Sequence, residues 1–360
     1  MSKKGFIMSL LYPTALQARQ TAALRFGRNL TGILVTICLI IGTGFASADT
    51  LPGPLVDVDW LEKNVEKITL LDVRADVNSF SKRSRGGSPV NPCGAGVKGK
   101  EAEPVAGHIP GAVLVRWSLL TTQQDISGKK TDGWMPSRDD FERLMQKSGV
   151  NKGQAVVIAY KGEKAIDTAM AARLYYTLKY FGHDQVALLD GGTAAWIQSG
   201  RTVKFGRSKS SRGNFSAGPG NTEIITVLAD VKAISESGKD QLLDLREPAG
   251  YLGVARNIAS VDSKWHGHIP GARNVPLSLL SNDVGPVAYL FDTETLQQSL
   301  SLMGADPNTP TTVYCNTGLM ASVGWFVLSE LMGNASVRLY DGSMQEWMLN
   351  KMPVSAMKND

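Results

Sequence analysis

The sequence predicts an α/β protein made of two copies of one domain, each a doubly wound, mainly parallel sheet flanked by helices. Three observations carry this. Four segments recur in the same order: "ITLLDVRADV" (68–77) returns as "DQLLDLREPA" (240–249), and "GHIPGAVLVRWSLL" (107–120) returns as "GHIPGARNVPLSLL" (267–280). Likewise "QAVVIAY" returns as "PTTVYC", and "VALLDGGTAAWIQSGRTV" as "VRLYDGSMQEWMLNKMPV". Matched segments in one order mark a duplicated unit. The short runs "ITLLDV", "AVVIAY" and "VALLD" are too apolar to be half-exposed, so they read as strands buried on both faces. Helical stretches such as "RDDFERLMQKSG" and "AMAARLYYTLKYFG" lie between them. Buried strands alternating with helices indicate a parallel sheet covered on both sides.

Along the chain, residues 1–48 read as an export signal. Lys3, Lys4, Arg19, Arg25 and Arg28 precede the apolar run "TGILVTICLIIGTGFA" and the small-residue site Ala46–Ala48. The long basic region leaves an uncleaved membrane anchor as the alternative, and the absence of a cysteine near Ala48 argues against a lipoprotein. No other stretch is apolar enough to span a bilayer. The first copy follows at 55–203, then "FGRSKSSRGNFSAGPGN" within 204–222, which reads as a linker, then the second copy at 223–356.

Without the five Lys/Arg of the signal, 33 basic residues face 33 acidic ones. The pI near 9 thus belongs to the leader. A neutral mature chain gives no electrostatic reason to expect nucleic-acid binding. Cys38 leaves with the signal, so Cys93 and Cys315 remain, too few for a disulfide-stapled scaffold. Two domains of about 150 residues can hold themselves by packing.

Cys315 draws the functional reading. It follows the apolar strand "TTVY" and precedes "NTGLM" and a helix expected from about Ala321 to Met332, closed by Gly333. In parallel sheets the working site lies beyond the carboxyl ends of the strands. Asn316, Thr317, Gly318, Leu319 and Met320 are expected to curl around the sulfur, with Gly318 taking the unusual backbone angles. Their N–H groups would form an anion nest backed by the helix dipole, an environment that favours a thiolate. Its sequence neighbours and the turn argue against burial of the thiol.

With these residues in view, the paired "LLD-x-R", "GHIPGA", strand–Cys–loop–helix and "DGG/DGS…W" segments resemble the tandem rhodanese family of sulfurtransferases over nearly the whole mature chain. The resemblance implies two rhodanese-like domains with the reactive cysteine in the C-terminal one. This sequence shares that asymmetry, since Tyr160-Lys161 stands where the second copy has Tyr314-Cys315. The first copy is then expected to wall one side of the site. The implied reaction is covalent: Cys315 takes a sulfane sulfur as a persulfide and hands it to cyanide, a small thiol or a protein thiol. The nest of residues 316–320 would hold the negative persulfide. The resemblance implies no cofactor and no metal.

Departures from the family pattern bear on the donor. Thiosulfate-using members usually carry a basic residue after the cysteine, where this chain has Asn316. Mercaptopyruvate-using members read roughly Cys-Gly-Ser/Thr-Gly-Val-Thr, against Cys-Asn-Thr-Gly-Leu-Met here, and the basic residue often found before "YLG" is Gly250. Arg256, Lys264 and Arg273 are candidates to replace that charge, against a solvated surface role. Arg246 and Arg256 are the candidate substrate contacts, against a structural pairing of Arg246 with Asp244 that mirrors Asp72 with Arg74.

The remaining candidates have plainer readings. His108 and His268 recur within "GHIPGA" and read as turn-stabilising. His266 and His268 alone make a poor metal pair. Cys93, in a Gly/Pro-rich insertion, reads as an exposed loop cysteine or a resolving thiol. Trp196 and Trp347 read as core. A cysteine phosphatase would need Arg six residues after the cysteine, where Ala321 stands, and a hydrolase using His266 or His268 has no further support. The competing function from another class is a sulfur-carrier or thiol-sensing module that serves a dedicated partner without turnover. The signal places either one in the periplasm, where a persulfide needs protection from over-oxidation.

Overall fold

The apolar runs become two five-stranded parallel sheets, one in each copy. The computed structural model describes residues 51–83, 105–255, 266–282 and 285–357. The expected signal at 1–48, Cys93, Arg256 and Lys264 lie outside the described residues. Among the described residues no helix is long and apolar enough to cross a membrane.

The first copy supplies β1 (Leu55–Val56), β2 (Thr69–Arg74), β3 (Val113–Arg116), a hairpin of β4 (Thr122–Ile126) and β5 (Lys129–Trp134), then β6 (Val156–Tyr160) and β7 (Val186–Leu189). The second copy repeats the series with β8 (Ile225–Thr226), β9 (Gln241–Asp244), β10 (Arg273–Asn274), a short hairpin of β11 (Ser281–Asn282) and β12 (Tyr289–Leu290), β13 (Thr311–Tyr314) and β14 (Val337–Tyr340). The sheet orders β1-β7-β6-β2-β3 and β8-β14-β13-β9-β10 have one topology. Every residue of β6 and of β13 is buried, as continuous apolar strands covered on both faces require. Local signals agree between copies. Ser137 caps the helix Arg138–Lys147 by accepting from Asp140 N at 3.2 Å, and Asp292 caps Thr293–Leu302 by accepting from Thr295 N at 2.8 Å.

The helix Ala165–Tyr180 is buried on nearly every side. One face lies on its own sheet. The other meets the helix that begins at Ala321–Trp325 in the second copy and continues as a π-helix over Phe326–Leu331. Tyr175 meets Phe326 edge-on at 4.9 Å, and Tyr176 meets Trp325 edge-on at 5.0 Å. One hydrophobic core therefore draws on both copies, and together they form a single compact unit.

Residues 204–222 do more than link. Lys204 and His108 exchange backbone bonds, Phe215 N donates to Val150 O at 3.0 Å, and Gly218 N donates to Phe181 O at 2.8 Å. Phe215 is buried edge-on against Phe141. Gly and Ser set the composition of this stretch, but the one aromatic anchor and its backbone bonds make it a strap along the first copy.

The repeated histidines take matching structural places. His108 stacks on Phe80 with Nδ1 3.0 Å from Phe80 O, and His268 stacks on Tyr251 with Nδ1 2.9 Å from Tyr251 O. Burial lowers the His268 pKa, partly opposed by its hydrogen bond to the Tyr251 backbone. Trp196 and Trp347 are buried and donate to Thr202 O and Pro353 O. Among the described residues no group of three or more potential ligands could hold a metal.

The hairpins cross over. Beside β5, Met135 N donates to Asp341 Oδ2 at 3.0 Å, and Gln345 Nε2 donates to Asp132 O at 3.0 Å. In return, Ala288 N donates to Gly162 O at 2.7 Å, and Val287 and Tyr289 crowd Gly191. Each copy's hairpin thus closes over the loop region of the other.

Candidate active site

β13 ends at Tyr314, paired with Asp244 of β9, so Cys315 stands at the carboxyl end of the sheet. It is a free thiol. Sequence reasoning expected it to be open, yet it is 1 % exposed. The turn does lead out of the sheet, but hairpin β4–β5 of the first copy lies against the loop that follows it, and no local pattern announces an approach from so far away in the chain. A Cβ on Gly133 would lie 2.8 Å from Thr317 Cβ, which measures how closely the hairpin sits on the loop.

The loop is pinned from below. Cys315 N donates to Ser343 Oγ at 3.2 Å, Met344 N to Cys315 O at 3.0 Å, and Gln345 N to Asn316 O at 3.1 Å. Ser343 has φ +50°, where the first copy has Gly192 at φ +58°. A left-handed serine is costly, and this one supplies the hydroxyl that receives the cysteine amide. Gly318 takes φ +79°, as expected for the turning residue. Among the described residues no hydrogen bond engages the amides of Asn316, Thr317, Gly318, Leu319 or Met320. Ala321, where the phosphatase reading needed arginine, is buried.

The candidate cations divide. Arg246 is buried and gripped by Asp244, with Nε 2.9 Å from Oδ1 and Nη2 2.6 Å from Oδ2, while Nη2 also donates to Gly267 O at 2.7 Å. Burial works to lower its pKa, and Asp244 outweighs that and raises it, with the Tyr314 and Cys315 charges acting in the same direction. Arg246 is thus close to the sulfur but committed to its carboxylate, as Arg74 is to Asp72 at 2.7 Å. Arg273 is turned toward Gln241 at the opposite end of β9. His268 is turned to Tyr251.

Another cation stands at the loop. Arg173, on the helix Ala165–Tyr180 of the first copy, is 0 % exposed and ion-paired with Asp341, which follows β14. Its Nη2 also donates to Gly133 O at 3.1 Å. Leu319, from the loop, reaches across to wall a cleft of about 380 Å³ over the first copy's sheet, beside Arg74, Ser79, Trp117, Lys161 and Met170. Lys161, which takes the cysteine's place in that copy, pairs with Glu163.

The rhodanese-like domain model matches residues 57–199 and again 227–350. The chain belongs to the rhodanese-like family. A Mycobacterium leprae protein named "Putative thiosulfate sulfurtransferase SseA" is 31% identical over 304 residues, covering 84% of this chain and 90% of that one. The Thermus thermophilus "Sulfur carrier protein TtuD" is 28% identical over 312 residues, 82% of this chain and 94% of its own. Among solved structures, SseA from Escherichia coli, described with the 3-mercaptopyruvate sulfotransferases, superposes with a TM-score of 0.62 at 25% identity, over 81% of this chain and 98% of that one.

Within this rhodanese-like pair, sequence reasoning missed Ser343, Asp341 and Arg173. The first was visible as "DGS" against "DGG", and the last as a lone arginine in the apolar stretch "AMAARLYY". The copies also differ at the aspartate. Asp341 has its cation, whereas burial pushes Asp190, its counterpart, up to about 6, only partly opposed by backbone hydrogen bonds from Leu290 and Gly191. A carboxyl raised in the folded state costs stability above that pH, and the cost is relieved as pH falls through 6. Asp190→Asn is therefore expected to raise stability by about 1–3 kcal/mol at pH 8, with the gain shrinking below pH 6. Thermal melts of both proteins across that range check it, and a pH-independent difference would contradict it.

Proposed function

We propose that this protein is a sulfurtransferase that moves a sulfane sulfur from a small donor to a thiophilic acceptor through a persulfide on Cys315. The observation that supports the reading is the free thiol at the end of β13, followed by a loop whose amides from Asn316 to Met320 have no partner among the described residues. The Cys315 thiolate attacks the outer sulfur of the donor. A new S–S bond forms as the old bond breaks, and its electron pair leaves with sulfite from thiosulfate, or with the pyruvate enolate from mercaptopyruvate, which then takes a proton. Cyanide or a thiolate next attacks the outer sulfur, and Cys315 leaves as thiolate. The amides of Asn316–Met320 stabilise the anionic sulfur as an oxyanion hole stabilises oxygen. No step needs a metal or cofactor. The leader at 1–48 supports action in the periplasm.

A second reading, a carrier that accepts and passes sulfur only to a partner protein, is favoured by two observations. Cys315 is covered, and Asn316 provides no charge for a dianionic donor. Intact-mass spectrometry of the reduced protein, with thiosulfate and separately with mercaptopyruvate, decides between them. The enzyme reading expects a gain of one sulfur atom that cyanide removes. No gain from either donor leaves the carrier reading in its place.

A further inference from the structure

We propose that Arg173 is the cation missing from the Cys315 loop's own sequence, delivered from the other copy, and that its charge stabilises the thiolate and persulfide at Cys315. The proposal deepens the sulfurtransferase reading and rests on it for the persulfide.

The first argument is the cost of burial. A guanidinium withdrawn wholly from water costs several kcal/mol unless fully compensated, and here compensation is partial. Of its five N–H donors, those on Nη2 serve Asp341 and Gly133 O, while Nε and Nη1 have no partner among the described residues. Direction is the second argument. A Cβ on Gly318, midway along the loop, would lie 2.8 Å from Nη1 and 2.8 Å from Asp341 Oδ1. The unused donor thus lies against the loop backbone. Asn316 Oδ1, in the same loop, is also buried without a partner. That oxygen calls for a donor, while the unmatched guanidinium N–H groups point to an anionic occupant beside the loop.

The third argument is asymmetry. The helix Ala321–Leu331, which matches Arg173's helix in the second copy, contains no Lys or Arg. Asp190, the counterpart of Asp341, makes no ion pair among the described residues. The cation is present only on the helix that reaches the loop following the cysteine. A plain clamp between copies would explain the ion pair but not the two unpartnered nitrogens.

Arg173 is accordingly a positioning residue that acts on the sulfur by charge, and its test separates charge from clamping. The pH dependence of Cys315 alkylation by iodoacetamide is followed by peptide mass in the full-length protein and in Arg173→Met, Arg173→Lys and Asp341→Asn. Both R173M and D341N break the ion pair, so a purely structural role moves them alike. A charge role moves them oppositely. R173M slows alkylation at pH 7 about tenfold and shifts its pH midpoint up, D341N shifts the midpoint down, and R173K restores most of the rate. The other charges around the loop, Asp244 with Arg246, Glu346, and Lys161 with Glu163, are the same in every variant.

Midpoints are compared because loosening of the cover changes the plateau rate. Equal or absent shifts in R173M and D341N overturn the proposal. If R173M does not fold, D341N decides alone: a downward shift supports the proposal and no shift overturns it. Alkylation requires no sulfur donor, so this result stands apart from the persulfide measurement.

Discussion

Replacing Cys315 by serine is expected to lower sulfur transfer from thiosulfate or mercaptopyruvate to cyanide about a thousandfold or more, to the level of protein-free buffer. The two side chains have nearly the same shape, but the serine oxygen stays protonated at neutral pH and cannot store a sulfane sulfur. The fold tolerates the change. Cys315 is in no disulfide, and the Cys315 N to Ser343 Oγ bond at 3.2 Å uses only backbone at the substituted position. Thiocyanate formation and the melting temperature are measured together. Loss of activity with a melt within a few degrees of the unsubstituted protein is expected. Persistent turnover in C315S would move the chemistry elsewhere, with Cys93 the first suspect.

Trp325→Ala is the largest expected change in stability. This side chain is 1 % exposed, meets Tyr176 edge-on at 5.0 Å, and donates from Nε1 to Val337 O at 3.1 Å. Its removal leaves a cavity between the copies and an acceptor without its donor, together costing about 3–5 kcal/mol. Because Trp325 packs on the first copy's Tyr175 and Tyr176, the loss falls on the whole molecule. Urea unfolding followed by circular dichroism should show one transition at a lower midpoint. Two separated transitions, with only one displaced, would show that the copies fold independently and that their shared core contributes little.

Much of this was legible in the chain because it is local or repeated. The strand–helix alternation follows from uninterrupted apolar runs such as Val156–Tyr160, and the matched topology of the sheets follows from the four paired segments. The place of Cys315 could be read for the same reason: a strand's end is a property of its own sequence. Its burial could not, because the cover is Gly133 and its neighbours, brought there by folding of the other copy. Arg173 escaped for a related reason. A helix in the copy without the cysteine carries no local sign of its partner, and nothing near Asp341 in sequence points to it. The packing of the segment 204–222 along the first copy is not legible from its Gly/Ser composition, because it rests on one buried aromatic, Phe215.

The crossed hairpins mean that the two halves of this chain cannot drift apart independently. Gly133 cannot gain a side chain without pressing on Thr317, and Gly191 cannot without striking Val287 and Tyr289. The first copy has Lys161 where the second has its cysteine, yet its hairpin is packed against the second copy's loop. A mutational survey that scored only sulfur transfer is therefore expected to pick out Asp132 to Met135, in the half of the chain without the loop cysteine.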